Sequence, residues 1–266
     1  MTSSPPQCTE TPGLHPPGAS ERRSITVGVS VADIAAKLDH AVLKPQLTDA
    51  DLKAAADMCR ERRVGCLCVR PADVAAAAKL LSGSKVVVAS VVGFPHGSHR
   101  SDVKAFEAAR AIADGARELD MVMNVGAFLS GHTGLVRADI AAVVAEAKAA
   151  DEPVLVKVIL ETCLLTLDQV AEASLLAEES GADYVKTSTG FAAHGATPEA
   201  VVTMLETVGG RLGVKASGGI RTWADAVRYI EMGCGRIGVG DALAILDSRP
   251  GGDGAGPPPE TASNTY

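Results

Sequence analysis

The chain has 266 residues, 47% hydrophobic and 21% charged, which is room for one large domain or two small ones with an ordinary globular balance. Its 25 basic and 32 acidic residues leave a net charge of −7 without a long basic run, which argues against tracking a phosphate backbone. Aromatic residues, at 3%, are too few for the stacking platforms that hold single strands, and no apolar run nears the roughly 20 residues that span a bilayer. A small molecule is the expected partner, with neither nucleic acid nor membrane involved.

Residues 1–26 are rich in Pro, Ser, Thr and Gly, a composition that cannot bury enough apolar surface to offset its ordering entropy. They read as a disordered extension, and the tail 249–266 (RPGGDGAGPPPETASNTY) reads as a mobile one. The first residues lack a charged stretch followed by an apolar one, so no secretory signal is expected. Six cysteines (Cys8, Cys59, Cys66, Cys68, Cys163, Cys234) make no CxxC pair, and a reduced, cytoplasmic compartment fits them.

Residues 27–248 carry a regular beat. Apolar runs near 38–42, 65–69, 86–92, 118–123, 154–160, 184–187, 213–216 and 236–239 alternate with Ala-rich segments of helical period, such as DADLKAAADMCRER and TWADAVRYIEMG. Thr48, Ser101, Thr197 and Thr222 suit the helix N-caps. A short segment, ALAILD, closes the count. Eight such units predict an α/β fold, a single (β/α)8 TIM barrel of parallel strands. An open doubly wound sheet is the structural alternative, without a GxGxxG turn to support it.

Strands buried on both faces should read as unbroken apolar runs. Four successive ones instead carry charge: Asp120 in ELDMVMNVG, Lys157 in VLVKVILE, Lys186 in ADYVKTSTG and Lys215 in LGVKASGG. All four are expected toward the C-terminal half of their strands, where barrel enzymes place their sites. A lone lysine in such a place is usually half of a structural ion pair. Three lysines facing one carboxylate leave at least one pushed toward the neutral amine, the form that builds Schiff bases. Glycines after the seventh and eighth strands (Ser217–Gly219 and Gly238–Gly240) fall where barrels commonly cradle phosphate. His96 and His99 lack a partner at metal-ligand spacing.

Taken together, VKTSTGF, VKASGGIRT, ELDMVMNVG, VVGFPHG and KLDHAVLKP resemble the deoxyribose-phosphate aldolases, over about residues 33–247. The resemblance implies a class I aldolase that cleaves 2-deoxyribose 5-phosphate to glyceraldehyde 3-phosphate and acetaldehyde, with no metal and no other cofactor. By motif, Lys186 is similar to the Schiff-base lysine, Lys215 to the lysine that depresses its pKa, and Asp120 to the carboxylate that moves protons with Lys215 and a water. Asp39 is similar to an aspartate near the substrate hydroxyls, and Lys157 and Glu161 to supporting polar positions of the fifth strand. Gly190, Gly218, Gly219 and Gly240 match phosphate contacts, and Tyr266 matches a terminal tyrosine that assists proton transfer in some members. Family members are often homo-oligomers, dimers or tetramers.

One turn departs from the pattern. Where the family usually has Gly-x-Ser-Ser after the eighth strand, this chain has Gly238-Val239-Gly240-Asp241. Asp241 suits the N-cap of ALAIL, yet a carboxylate about 4 Å from a phosphate oxygen costs roughly 1–4 kcal/mol. A weakened preference for phosphorylated substrate is therefore expected. Two other readings stay open: another Schiff-base barrel aldolase or transaldolase, and a barrel that binds a sugar phosphate without catalysis.

Overall fold

The computed structural model of the protein describes residues 30–250. The extension 1–26, the segment 251–266 and Tyr266 lie outside those residues. The chain runs α1 (Val31–Lys37), β1 (Leu38–Val42), α2 (Asp49–Arg62), β2 (Cys66–Val69), α3 (Val74–Leu80), β3 (Val87–Val92) and α4 (Ser101–Ala113). It continues through β4 (Glu118–Val122), α5 (Val125–Leu129), α6 (Thr133–Lys148), β5 (Leu155–Ile159), α7 (Leu167–Glu179), β6 (Tyr184–Lys186) and α8 (Pro198–Val208). It ends with β7 (Gly213–Ser217), α9 (Trp223–Met232), β8 (Arg236–Val239) and α10 (Ala242–Asp247).

The eight strands pair in parallel in sequence order, and β8 closes back onto β1 through Asp39 opposite Gly238. The fold is a TIM barrel, as the alternation of runs predicts. Helix α1 stands outside that alternation; it packs against the start of β2, where the Gly65 amide donates to Ala35 O at 2.9 Å. A Cβ on Gly65 would overlap the Ala36 backbone, so only glycine lets the two segments meet.

Thr48, Thr197 and Thr222 cap α2, α8 and α9, each accepting from a backbone amide of the first turn. Ser101 does not cap. It is the first residue of α4, and the N-cap is Arg100, without a side-chain cap bond. Asp102 supplies a partial substitute, since its Oδ1 accepts from Val103 N at 3.1 Å while pairing with Arg100 at 3.0 Å.

A period of two sorts the strand residues between two cores. Leu119 and Met121 of β4, Val156 and Val158 of β5, Val185 of β6, Val214 and Ala216 of β7, and Ile237 and Val239 of β8 face the helices. The residues between them point inward. On the β1–β3 side the interior is small and apolar, with Cys66, Cys68, Ala89 and Val91 packed together. Across from these, it is charged.

One charged pair lies in the helical layer. Lys104 of α4 and Asp139 of α6 meet at 2.5 Å, both buried, and Lys104 Nζ also donates to Val122 O at 2.9 Å at the end of β4. Losing one partner strands the other charge in a dry place. Lys104→Met should destabilise the fold by about 3–5 kcal/mol, and adding Asp139→Leu should restore most of it, as read from urea unfolding midpoints.

Candidate active site

The inward positions of β4, β5, β6, β7, β8 and β1 hold seven charged side chains: Glu118 and Asp120, Lys157, Lys186, Lys215, Arg236, and Asp39. Hydrogen-bonded register sets them beside one another. Asp120 stands opposite Lys157, Lys186 opposite Lys215, and Lys215 opposite Arg236. The expectation that all four motif residues lie toward the strand ends needs correction. Lys186 is the last residue of β6, but Asp120, Lys157 and Lys215 are each the third of five. A long lysine side chain reaches from mid-strand to the site, so backbone position and ammonium position differ.

Asp120 is the hub. Its Oδ1 accepts from Lys157 at 2.8 Å, and its Oδ2 accepts from Lys186 at 2.8 Å and from Lys215 at 2.6 Å. Lys215 also donates to Asp39 Oδ2. Lys157 also donates to Glu118 Oε2 at 2.5 Å. Arg236 closes the set, with Nε on Asp39 Oδ1 at 2.7 Å and its two terminal nitrogens on Glu118 at 2.8 and 3.0 Å. The one-carboxylate count read from the motifs is therefore corrected. Three carboxylates face four cations, an excess of a single positive charge.

The three lysines respond differently. Burial works against charge on Lys215, yet the adjacent Asp120 and Asp39 carboxylates raise it well above the ordinary lysine range. Lys157 is likewise opposed by burial and raised by Asp120, Glu118 and Asp39 despite the charge of Lys215. Lys186 goes the other way. Burial lowers it and the neighbouring Lys215 charge adds to the effect, while its share of Asp120 is too small to compensate. Burial would raise Asp120, but Lys157, Lys186 and Lys215 hold it well below the usual carboxylate range. The group best able to act as a neutral amine is thus Lys186.

The motifs do not mark two members of this network, Glu118 and Arg236. A signal for the first is present, since Glu118 lies two residues before Asp120, hence on the same face. Glu161 falls beyond β5 rather than within it, in a left-handed backbone with φ 57 and ψ 60. There its carboxylate accepts from Thr189 N at 3.2 Å and from the Thr189 hydroxyl, pinning the loop that follows Lys186. Among the described residues, Asp39, Cys66 and Glu118 could offer three atoms to a metal ion. Their carboxylates are already engaged by Lys215, Lys157 and Arg236, a set that suits no further cation.

At the loop end, Gly190 and Gly218 have φ of 83 and 85, a conformation open to glycine at little cost. A Cβ on Gly218 would lie 2.8 Å from Gly195 Cα and 3.5 Å from Gly190 Cα, so the loops after β6 and β7 touch. Ser217 Oγ donates to Ser188 O at 2.6 Å and binds them further. Gly219 follows with φ 76. Gly240 ends at Asp241, whose Oδ1 accepts from Ala244 N at 3.0 Å as the N-cap of α10. The amide of Ala242 is taken by His40 Nδ1 at 3.2 Å. Amides here are thus taken by Asp241 of the turn itself and by His40 of β1.

A family model described as DeoC/LacD family aldolase matches residues 33–240. The chain belongs to that family. Among the relatives of this DeoC/LacD aldolase is the deoxyribose-phosphate aldolase of Clostridium perfringens (strain 13 / Type A), 46% identical over 81% of this chain and 95% of the relative. That of Carboxydothermus hydrogenoformans is 45% identical over 85% of this chain and 99% of its own length. The tetrameric deoxyribose phosphate aldolase of Aeropyrum pernix superposes with a TM-score of 0.77 at 32% identity, over 82% of this chain and 92% of that one.

A neutral amine adds to an aldehyde and a protonated one does not. Trapping of an aldehyde on this lysine should be complete above its folded pKa and decline as pH falls through it, at lower pH than for a solvated lysine. Lys215→Met removes a like charge and frees Asp120 Oδ2, so the decline should move to higher pH. The rate of borohydride-dependent inactivation against pH checks both.

Proposed function

We propose that the chain cleaves 2-deoxy-D-ribose 5-phosphate reversibly to D-glyceraldehyde 3-phosphate and acetaldehyde through a Schiff base on Lys186. The observation that carries the assignment to Lys186 is that, of three buried lysines around Asp120, it alone is lowered. Its amine adds to the aldehyde carbon of the open-chain sugar, and loss of water gives a protonated imine. That imine draws in the electron pair of the bond between the next two carbons, C2 and C3, as it breaks, while the hydroxyl on C3 gives up its proton to become an aldehyde. The enamine left on Lys186 takes a proton at C2 and is hydrolysed by water, which releases acetaldehyde and restores the amine. Asp120, backed by Lys215, is the group to relay that proton. Facing three cationic nitrogens it is a weak base, so it passes the proton on rather than holding it. Asp39 is held by Lys215 and Arg236 beside this path and serves the substrate hydroxyls. Lys157, tied to both Glu118 and Asp120, supports rather than reacts.

Gly190, Gly218 and Gly219 are the proposed phosphate contacts. Asp241, with Gly240 before it, weakens that end, because a carboxylate stands in the turn and amides there are already bonded to Asp241 and His40. A homo-oligomer in the cytoplasm completes the reading. Its supports are the tetrameric relative, outward apolar side chains such as Phe106 at 68% exposure, and five cysteines without disulfides among the described residues.

Borohydride with acetaldehyde should leave a stable adduct on Lys186, found by peptide mass spectrometry, and Lys186→Met should lose the adduct and aldolase turnover together. An adduct absent from every lysine would reject the reading. Separately, Asp241→Ser should raise the ratio of kcat/KM for deoxyribose 5-phosphate over deoxyribose by about tenfold or more. An unchanged ratio would remove Asp241 from specificity.

A further inference from the structure

We propose that Glu118 and Arg236, which lie away from the reacting atoms, are positioning residues whose charge count keeps Lys186 in its neutral, nucleophilic form. The inference rests on Lys186 being the Schiff-base amine and adds what makes it so.

Every carboxylate oxygen of the network is committed. Asp39 gives Oδ1 to Arg236 and Oδ2 to Lys215. Glu118 gives Oε1 to Arg236 and Oε2 to Arg236 and Lys157. Asp120 gives Oδ1 to Lys157 and divides Oδ2 between Lys186 and Lys215. Of the four cations, Arg236, Lys157 and Lys215 each touch two carboxylates, and Lys186 touches one oxygen that it shares. The single excess positive charge therefore falls on Lys186, and the simplest relief is for it to lose its proton.

Three other titratable groups surround Lys186, and none is hydrogen-bonded to it. The Cys68 thiol of β2 is pushed up by burial to about 11 and stays neutral. Cys66, deeper on the same strand, is pushed up further, first by burial and then by Asp39 and Glu118. Glu161, beyond β5, is raised by burial and bonded to Thr189, and it acts on Lys186 only through space, outside ion-pairing distance.

Two charge-removing changes away from the amine should then act in opposite directions. Glu118→Gln leaves two carboxylates against four cations and should move the pH limb of Lys186 adduct formation down. Arg236→Gln leaves three against three and should move it up. Each shift should be about one pH unit for charges of this separation in a protein interior. The double variant restores an excess of one cation and should return the limb to its starting place. It also removes both ends of the Glu118–Arg236 contact together, so neither group is left without the partner it faced, and it keeps the test available if a single variant folds poorly.

The measurement is the rate of borohydride-dependent adduct formation with acetaldehyde across pH, on Lys186 itself by mass spectrometry. Opposite shifts with recovery in the double variant support the proposal. Shifts in one direction, limbs that do not move, or a double variant displaced by about one unit overturn it. An adduct missing from Lys186 in the unaltered protein would instead reject the Schiff-base reading, so the two failures are distinct.

Discussion

The site depends on one carboxylate that three lysines share, two of them on a single oxygen. Asp120 sits mid-strand in β4, fully buried, and receives three lysines from three successive strands. Two of those lysines have a second carboxylate nearby and remain ammonium groups. The third, Lys186, has none within ion-pairing distance. Desolvation costs a charged group several kcal/mol unless partners compensate, so unequal sharing shifts the three lysines in different directions. Chemically identical side chains acquire different roles through who else holds them.

The barrel makes such crowding possible. Because strand residues alternate between faces, the helix-facing positions supply an ordinary apolar core, and the inward ones need not. Small side chains on β2 and β3 leave room, and charged ones from β4 round to β1 occupy it. Arg236, Glu118 and Lys157 lock the deeper part, with each charge touching at least two of opposite sign. A network with every oxygen engaged is costly to build and costly to disturb, which favours a fixed geometry over net stability.

The loop end shows the opposite arrangement. Glycines after β6 and β7 keep backbone close and uncluttered, whereas amides at the start of α10 are taken by side chains from the turn and from β1. His40 accepts from Ala242 N, and burial lowers that imidazole, which favours the neutral form able to accept. Asp241 caps the same helix. In the proposed reading, carbonyl chemistry and anion recognition are thus set by separate residues on separate elements, and one can change without the other.

Much of this is legible in the chain itself. Eight apolar runs alternating with helical segments specify a barrel because parallel strands need crossovers, and charge inside runs that should be dry marks Asp120, Lys157, Lys186 and Lys215. Thr48, Thr197 and Thr222 can be read as caps from their place before a periodic segment; Ser101 cannot, because Asp102 competes for the same amides. Glu118 and Arg236 are harder to see since each begins its strand, where a charged residue looks like the end of a solvated loop. Sequence by itself determined which side chains share the interior, through the period of two. Only the tertiary structure decided the pairing among them, because closing β8 onto β1 brings Asp39, Arg236 and Glu118 into contact across sequence separations of 197 and 118 residues. That closure sets the charge count, and with it which lysine is lowered while the other two are raised.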